Sequence, residues 1–198
     1  MRKKIVVIVT VAAMLAAGLF GCSSNDTKNK TSNTSNLDSA AGLTWSAPTG
    51  WKEGPPQQMR IKTYLISATQ GDPEGAECGI FFFPGGLGGG KEANLQRWVG
   101  QFEQPDGRNS ADLAAISEME SNGLKVTTIE LSGIYKQASG PMMEVKERKP
   151  GFRLMGAIVE GPKGLLFFKL VGPEKTVVGA ANDFTEMLKG VKAAGGQT

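Results

Sequence analysis

Residues 85–92, with the sequence GGLGGGKE, are the part of the chain that comes closest to a phosphate-binding loop. In such a loop, backbone N–H groups cradle the phosphates, a lysine contacts the β- and γ-phosphates, and a hydroxyl group binds Mg²⁺. Gly85, Gly90 and Lys91 match the spacing of the motif, but Glu92 replaces the hydroxyl and would repel the γ-phosphate. We therefore predict a flexible connector between a strand and a helix, with Lys91 and Glu92 on the solvated first helical turn.

The side chains that most often carry catalysis are missing or lack a motif. The chain contains no histidine, which excludes His-dependent triads, His-ligated zinc or haem, and imidazole proton transfer. Glu118 and Glu120 would share one strand face, a pattern more typical of a solvated sheet edge than of paired catalytic acids. Asp72 and Glu74 are candidate calcium ligands, yet the spacing of an Asp-rich calcium loop is absent. The sequence predicts no catalytic residue, no metal site and no cofactor.

Trp51, Met142 and Met143 are the candidate contacts for a binding partner. Trp51 follows the turn at residues 48–50 and can be partly exposed there, although a core anchor is the leading interpretation. Met142 and Met143 precede the charged run 144–149 in what reads as a long connector, and exposed methionines suit an adaptable binding surface. The alternative for the two methionines is a loop that folds over the end of the domain.

The first 22 residues have the organisation of an export signal. Basic residues at positions 2–4 precede the uncharged run 5–19, which is too short to span ~30 Å of hydrocarbon comfortably. The run closes on LFGC at residues 19–22, which resembles the lipobox of bacterial lipoproteins. This resemblance implies that residues 1–21 are a signal peptide and that Cys22 carries diacylglyceryl and acyl chains. Several such chains hold a protein stably at a membrane, whereas one chain holds it only marginally.

Export changes the charge and the cysteine chemistry of the mature chain. Three of the 22 basic residues lie in the signal, so 19 bases face 19 acids and nothing favours binding to nucleic acid. With Cys22 acylated, Cys78 is the only thiol and is expected to be a small buried hydrophobe. We expect attachment through Cys22 to the outer membrane or to the outer face of the cytoplasmic membrane. An envelope protein is a possible partner, and the small-molecule ligand is unknown.

Composition divides the mature chain into a tether, one domain and a tail. Residues 23–41 contain one large apolar residue, Leu37, and no aromatic residue, so they cannot bury enough surface to offset their ordering entropy. We therefore predict a flexible tether over residues 22–42, a single globular domain over residues 43–192 and a disordered tail over residues 193–198.

Hydrophobic patterning within the domain predicts three strands, a helix, four strands and a second helix. This order predicts an α+β fold, with a largely antiparallel sheet of about six to seven strands covered by two main helices. The run 165–168 does not alternate, which predicts a strand covered on both faces. The predicted strands are 43–47, 59–67, 78–83, 116–121, 125–135, 152–160 and 165–171, and the predicted helices are 91–104 and 174–191.

The element order and two stretches of sequence resemble the Mog1/PsbP-like fold. The stretches are TWSAPTGW at residues 44–51 and the closing FFKL at residues 167–170 with Phe184, Met187 and Leu188. Small exported bacterial proteins of uncharacterised function resemble this chain in element order and in these stretches. Members of the fold perform unrelated binding tasks, so the resemblance implies a fold and no activity.

We expect a non-enzymatic, lipid-anchored binding or assembly module of the cell envelope. The lipobox, the tether and the lack of a catalytic motif motivate this expectation. One alternative is an extracytoplasmic enzyme that works through carboxylates or a Ser-Lys pair, and another is a structural factor of an envelope complex.

Overall fold

The structure is a computed structural model that describes residues 37–139 and 144–195. Cys22, Met142 and Met143 lie outside the described residues, as do the predicted signal peptide and most of the predicted tether. Within the described part of the chain, no helix is both long and apolar enough to cross a membrane.

The described residues form eleven strands and three α-helices. The helices are α1 (Lys91–Val99), α2 (Glu174–Gly179) and α3 (Ala181–Lys189). The strands are β1 (Leu37–Ala40), β2 (Leu43–Ser46), β3 (Lys52–Glu53), β4 (Lys62–Ile66), β5 (Ala76–Phe82), β6 (Phe102–Glu103), β7 (Ala115–Ser121), β8 (Leu124–Ser139), β9 (Glu144–Gly161), β10 (Gly164–Pro173) and β11 (Lys192–Ala193).

The strands form two antiparallel sheets, which confirms the predicted α+β fold. The large sheet has the order β3-β4-β5-β10-β9-β8-β6, and β7 pairs with β8. The small sheet has the order β1-β2-β11. Both predicted hairpins are present, and Asn122 and Gly123 adopt the positive φ angles that a tight two-residue hairpin turn requires. Four strands exceed the prediction: β3, β6 and β11 are two residues long and carry no pattern of their own, and β1 lies in the predicted tether.

Both predicted helices are shorter than expected. Helix α1 ends at Val99, before Gly100, and Phe102 then pairs with Tyr135 as part of β6 instead of continuing the helix to residue 104. The second helix is divided at Ala180 into α2 and α3, directly after Gly179. Each break lies at or next to a glycine, which has a low helix propensity.

Strands are also found in segments that were predicted to be a tether, a connector and a tail. Residues 37–40 of the predicted tether form β1, which pairs with β2 across a turn at Ala41 and Gly42. Ala193, predicted to open the disordered tail, belongs to β11, and the charged run 144–149 forms the first part of β9 instead of a connector. In each of these segments, backbone hydrogen bonds to a neighbouring strand form the structure. Amino-acid composition alone does not predict such pairing.

The large sheet carries a hydrophobic core on each of its faces, and the run 165–168 contributes side chains to both, as predicted. One face packs on α2, α3 and β2, and we call it the closed face. The other face packs on α1, and we call it the open face. Side chains of the closed face include Tyr64, Cys78, Ile80, Leu166 and Phe168. Side chains of the open face include Ile129, Leu154, Ile158 and Phe167, with Leu95 and Trp98 of α1 above them.

Candidate functional site

The open face of the large sheet carries a polar cleft of about 230 Å³. Helix α1 covers only part of this face, and Gln101, two residues beyond the helix, marks where the cover ends. The cleft draws its lining from β5, β8, β9, β10 and the segment before β4. Its principal side chains are Arg60, Glu77, Phe81, Tyr135, Phe152 and Lys169.

Two glycines lie beside Lys169 on the strands that flank β10. Lys169 pairs with Gly79 of β5 on one side and with Gly156 of β9 on the other. A Cβ atom at Gly156 would lie 2.4 Å from the Trp98 ring, and one at Gly79 would lie 2.9 Å from the Phe81 ring. Since both distances are below van der Waals contact, the local packing around Lys169 depends on the absence of these two side chains.

Lys169 is the chemically unusual residue of the cleft. Its Nζ donates a hydrogen bond to Oε1 of Gln101 at 2.5 Å and lies 3.5 Å from the hydroxyl of Tyr135. Among the described residues, no carboxylate oxygen lies within ion-pair distance of this amine. Burial lowers the pKa of Lys169 to about 8; the nearby positive charge of Arg60 acts in the same direction, and the negative charge of Glu77 opposes both.

The other charges of the cleft are paired with each other. Nη1 of Arg60 lies 2.5 Å from Oε1 of Glu77, and Nζ of Lys149 lies 2.6 Å from Oε1 of Glu74. The cleft therefore holds three cationic and two anionic side chains, and the uncompensated charge is that of Lys169. Such an arrangement favours a ligand that brings one negative charge.

Each cation of the cleft lies over an aromatic ring. The distances to the ring centroids are 5.5 Å from Arg60 to Phe81, 5.4 Å from Lys149 to Phe152 and 5.2 Å from Lys169 to Tyr135. The rings of Tyr135 and Phe152 stack with their planes 8° apart and their centroids 6.0 Å apart. Aromatic walls and an unpaired cation together suit a small organic anion with an apolar or flat body.

The surroundings of the glycine-rich stretch are unfavourable for a phosphate. Nζ of Lys91 lies 3.5 Å from the carboxylate of Glu118 and 4.0 Å from that of Glu160, so negative groups already occupy its surroundings. The amide of Asn94 donates hydrogen bonds to the carbonyl oxygens of Gly88 and Gly90. The loop thus turns carbonyl oxygens towards a helix side chain, whereas a phosphate would need N–H groups.

The other sequence candidates do not converge on one place. The carboxylate of Asp72 accepts hydrogen bonds from the backbone N–H and the hydroxyl of Thr176 at the start of α2, while Glu74 binds Lys149. Glu120 is exposed on β7 with Glu118. In residues 37–139 and 144–195, no cluster of three or more acidic or cysteine side chains can hold a metal ion, and no hydrogen bond joins a serine hydroxyl to a lysine amine.

Trp51 lies away from the cleft. It is half-buried, packs against the closed-face core and has its ring centroid 6.2 Å from that of Tyr64. Its contact with a partner stays a prediction, as do those of Met142 and Met143. The sequence signal that points to the cleft is instead Lys169, a single charge inside the apolar run LLFFKLV at residues 165–171.

Comparisons with known proteins yield structural likeness only. No protein-family model and no curated protein sequence matches the chain. A protein of unknown function from Pseudomonas aeruginosa is similar with a TM-score of 0.42 and 10% identity, over 77% of this chain and 92% of that chain. The solution structure of a cyanobacterial PsbP from Synechocystis is similar with a TM-score of 0.47 and 12% identity, over 88% of this chain and 98% of that chain.

Proposed function

We propose that this chain is a lipid-anchored envelope protein whose domain binds a small organic anion in the cleft without turning it over. The observation that carries the proposal is the ammonium group of Lys169, which lies in a concave site with no carboxylate partner among the described residues. Burying a charge without a partner is unfavourable, and an anionic ligand would supply the partner.

The size and lining of the cleft narrow the class of ligand. A volume of about 230 Å³ is below the range of roughly 300–1,000 Å³ that drug-sized ligands occupy. A small carboxylic acid fits this space. Its carboxylate can accept hydrogen bonds from Lys169 and from the hydroxyl of Tyr135, whose pKa is raised by burial so that the proton is retained. The rings of Phe81 and Phe152 would contact the body of the acid.

Benzoate is a suitable probe, because it joins one negative charge to a flat ring. We expect ligand-detected NMR on the full-length protein in detergent to show saturable binding of benzoate and much weaker binding of benzyl alcohol. Lys169→Met should abolish benzoate binding, whereas Lys163→Met should leave it intact because Lys163 is exposed on the turn between β9 and β10. Equal binding of the acid and the alcohol, or undiminished benzoate binding by Lys169→Met, would overturn the proposed site.

The lipid anchor rests on the lipobox at residues 19–22 and has its own test. Cells grown with radiolabelled fatty acid should incorporate label into the wild-type protein and into Cys78→Ala. Cys22→Ala should lose both the label and its place in the membrane fraction. Label retained by Cys22→Ala would show that the anchor is wrong.

A further inference from the structure

We propose that the cleft captures small 2-oxo acids covalently, through an imine between Nζ of Lys169 and the carbonyl carbon of the acid. This inference rests on the proposed anion site, because the carboxylate of the oxo acid is what would bring the carbonyl carbon to the amine. It goes further, because it assigns reversible bond formation to a site otherwise used for binding.

The position of the amine is the first support. Nζ of Lys169 contacts two neutral polar groups, the amide oxygen of Gln101 and the hydroxyl of Tyr135, and no carboxylate of the described residues holds it as an ion pair. An amine that is held in an ion pair must leave its carboxylate partner before it can attack a carbonyl carbon. The amine of Lys169 has no such partner among the described residues. Its pKa of about 8 leaves roughly half of the molecules with a neutral amine at pH 8, against about one in several hundred for an ordinary lysine.

The second support is a cation placed beside the reacting amine. A Cβ atom built at Gly79, the cross-strand partner of Lys169, would lie 3.4 Å from Cζ of Arg60. Both hydrogen bonds described for the Arg60 side chain leave from Nη1, to Thr63 and Glu77. The other guanidinium nitrogens make no described hydrogen bond, so they can take over from Lys169 as donors to the carboxylate when the amine attacks the adjacent carbonyl carbon.

The reaction balances without any further reactant. The lone pair of the neutral amine forms the N–C bond, and the carbonyl oxygen takes up a proton to give a carbinolamine. Breaking the C–O bond then releases water as the nitrogen lone pair forms the C=N bond. Protonated lysine and oxo acid thus become a protonated imine and water, and the single positive charge stays beside the carboxylate.

Tyr135 is placed to move the proton in these steps. Its hydroxyl lies 3.5 Å from Nζ of Lys169, and burial raises its pKa, so it remains protonated at neutral pH. A phenol in this position can donate its proton to the carbonyl oxygen, regain a proton from the attacking nitrogen, and then protonate the departing hydroxyl group so that it leaves as water.

Glyoxylate with cyanoborohydride tests the imine, because the reductant fixes it as a carboxymethyl group on the lysine. The full-length protein in detergent would be treated with this pair, digested and mapped by mass spectrometry. We expect Lys169 to be modified at least tenfold faster than exposed Lys163 of the same molecule, with a rate that increases through about pH 8. Equal rates at the two lysines would overturn the proposal.

Two variants separate the imine from anion binding. Lys169→Arg keeps a cation, so it should bind benzoate measurably but more weakly than the wild type, and it cannot form the trapped adduct. Tyr135→Phe removes one hydrogen bond to the carboxylate, so its benzoate binding should weaken as well. At saturating glyoxylate it should still form the Lys169 adduct, about tenfold more slowly than the wild type; an unchanged rate would overturn the role of Tyr135. If benzoate binds the wild type and glyoxylate is not trapped at Lys169, the imine is wrong and the anion site stands. If neither is observed, the proposed function fails as well.

Discussion

The two faces of the large sheet are built from the same strands but differ in character: the closed face is a packed core, and the open face carries the cleft. Phe168 and Lys169 are neighbours on β10, and because side chains alternate along a strand they point to opposite faces. Phe168 is fully buried beneath Trp45, with the two ring centroids 5.6 Å apart, whereas Lys169 lines the cleft. The difference is one of cover: β2, α2 and α3 close one face, and α1 leaves part of the other uncovered.

Cover also decides what the polar groups of each face can do. On the closed face, Nε1 of Trp45 donates to the hydroxyl of Tyr64 at 2.9 Å, and that hydroxyl donates to the carboxylate of Asp38. Burial raises the pKa of the Cys78 thiol, which keeps it protonated and unreactive. On the open face, burial lowers the pKa of Lys169, so a larger fraction of its amine is neutral. Desolvation disfavours the charged form in both cases: it keeps the thiol protonated and favours the neutral form of the amine.

The largest contrast should appear when one phenylalanine is removed from each face. Phe168→Ala should lower the free energy of unfolding by about 3–5 kcal/mol, because it leaves a cavity in a core that cannot collapse onto it. Phe81→Ala should cost only about 1–2 kcal/mol, because Phe81 is half-buried and water can enter the space. Chemical denaturation measures both values, and equal losses would show that the open face is packed as tightly as the closed one.

A methyl group added beside Lys169 should be felt through the helix that covers the open face. Gly156→Ala should lower the free energy of unfolding by about 1–3 kcal/mol, because the new Cβ would meet the Trp98 ring and push α1 outward. Gly79→Ala should be milder, since the Phe81 ring and the Arg60 guanidinium border solvent and can move. Thermal unfolding compares the two variants; a larger loss for Gly79→Ala would contradict the proposed difference in cover.

Removing the unpaired charge from the open face should stabilise the protein. Lys169→Met should raise the free energy of unfolding at pH 7 by about 1–2 kcal/mol, because the folded state no longer holds a poorly solvated ammonium. The wild-type pKa of about 8 lies below the unfolded value of 10.5, so the unfolded chain holds more protons between these pH values. Wild-type stability should therefore increase with pH over that interval.

Denaturation at several pH values, repeated on Lys169→Met, checks this prediction. The gain from the substitution should shrink as the pH rises from 8 towards 10.5, since the wild-type amine becomes neutral in both states. A substitution that destabilises the protein at pH 7 would mean that Lys169 contributes packing or hydrogen bonding that outweighs the charge.

The smallest effect is expected at the closed face, where the Cys78 thiol should not react with reagents in solution. Cys78 is fully buried, so a maleimide should not label it in the native protein between pH 7 and pH 9. Labelling should appear only in denaturant, as read by mass spectrometry, with Cys78→Ala as the blank. Rapid native labelling would show that the closed face opens, which would remove the distinction between the faces.

Much of the fold is predictable from local patterns. The hairpin turn at Asn122 and Gly123, the doubly covered run 165–168 and the antiparallel order all follow from turn chemistry and hydrophobic spacing. Strands β1 and β6 do not follow from such patterns. Strand β1 has a largely polar composition and pairs with β2 across the turn at Ala41 and Gly42, and β6 is two residues long and pairs with β8, which is distant along the chain. Ala41 adopts a positive φ in the β1–β2 turn. Alanine disfavours this conformation, so the sequence gives no reason to expect a turn at this position.

The candidate site was much less predictable than the fold. The residues that the sequence singled out for chemistry bind other groups of the protein: Lys91 lies near the carboxylate of Glu118, and Asp72 accepts a hydrogen bond from Thr176. Lys169 reads in the sequence as part of a packing motif. Its surroundings come from Arg60, Gln101 and Tyr135, which lie far from it along the chain.

By itself, the sequence determined the lipobox expectation, the absence of histidine chemistry and the alternation that sends Phe168 and Lys169 to opposite faces. Only the tertiary structure decided which face would be left uncovered, and with it whether the amine of Lys169 would meet water, a carboxylate or neither. Local patterns encode the direction of a side chain, because that depends on the backbone period. The pKa and the partners of the side chain depend on which distant segments pack around it, and no short stretch of the chain carries that information.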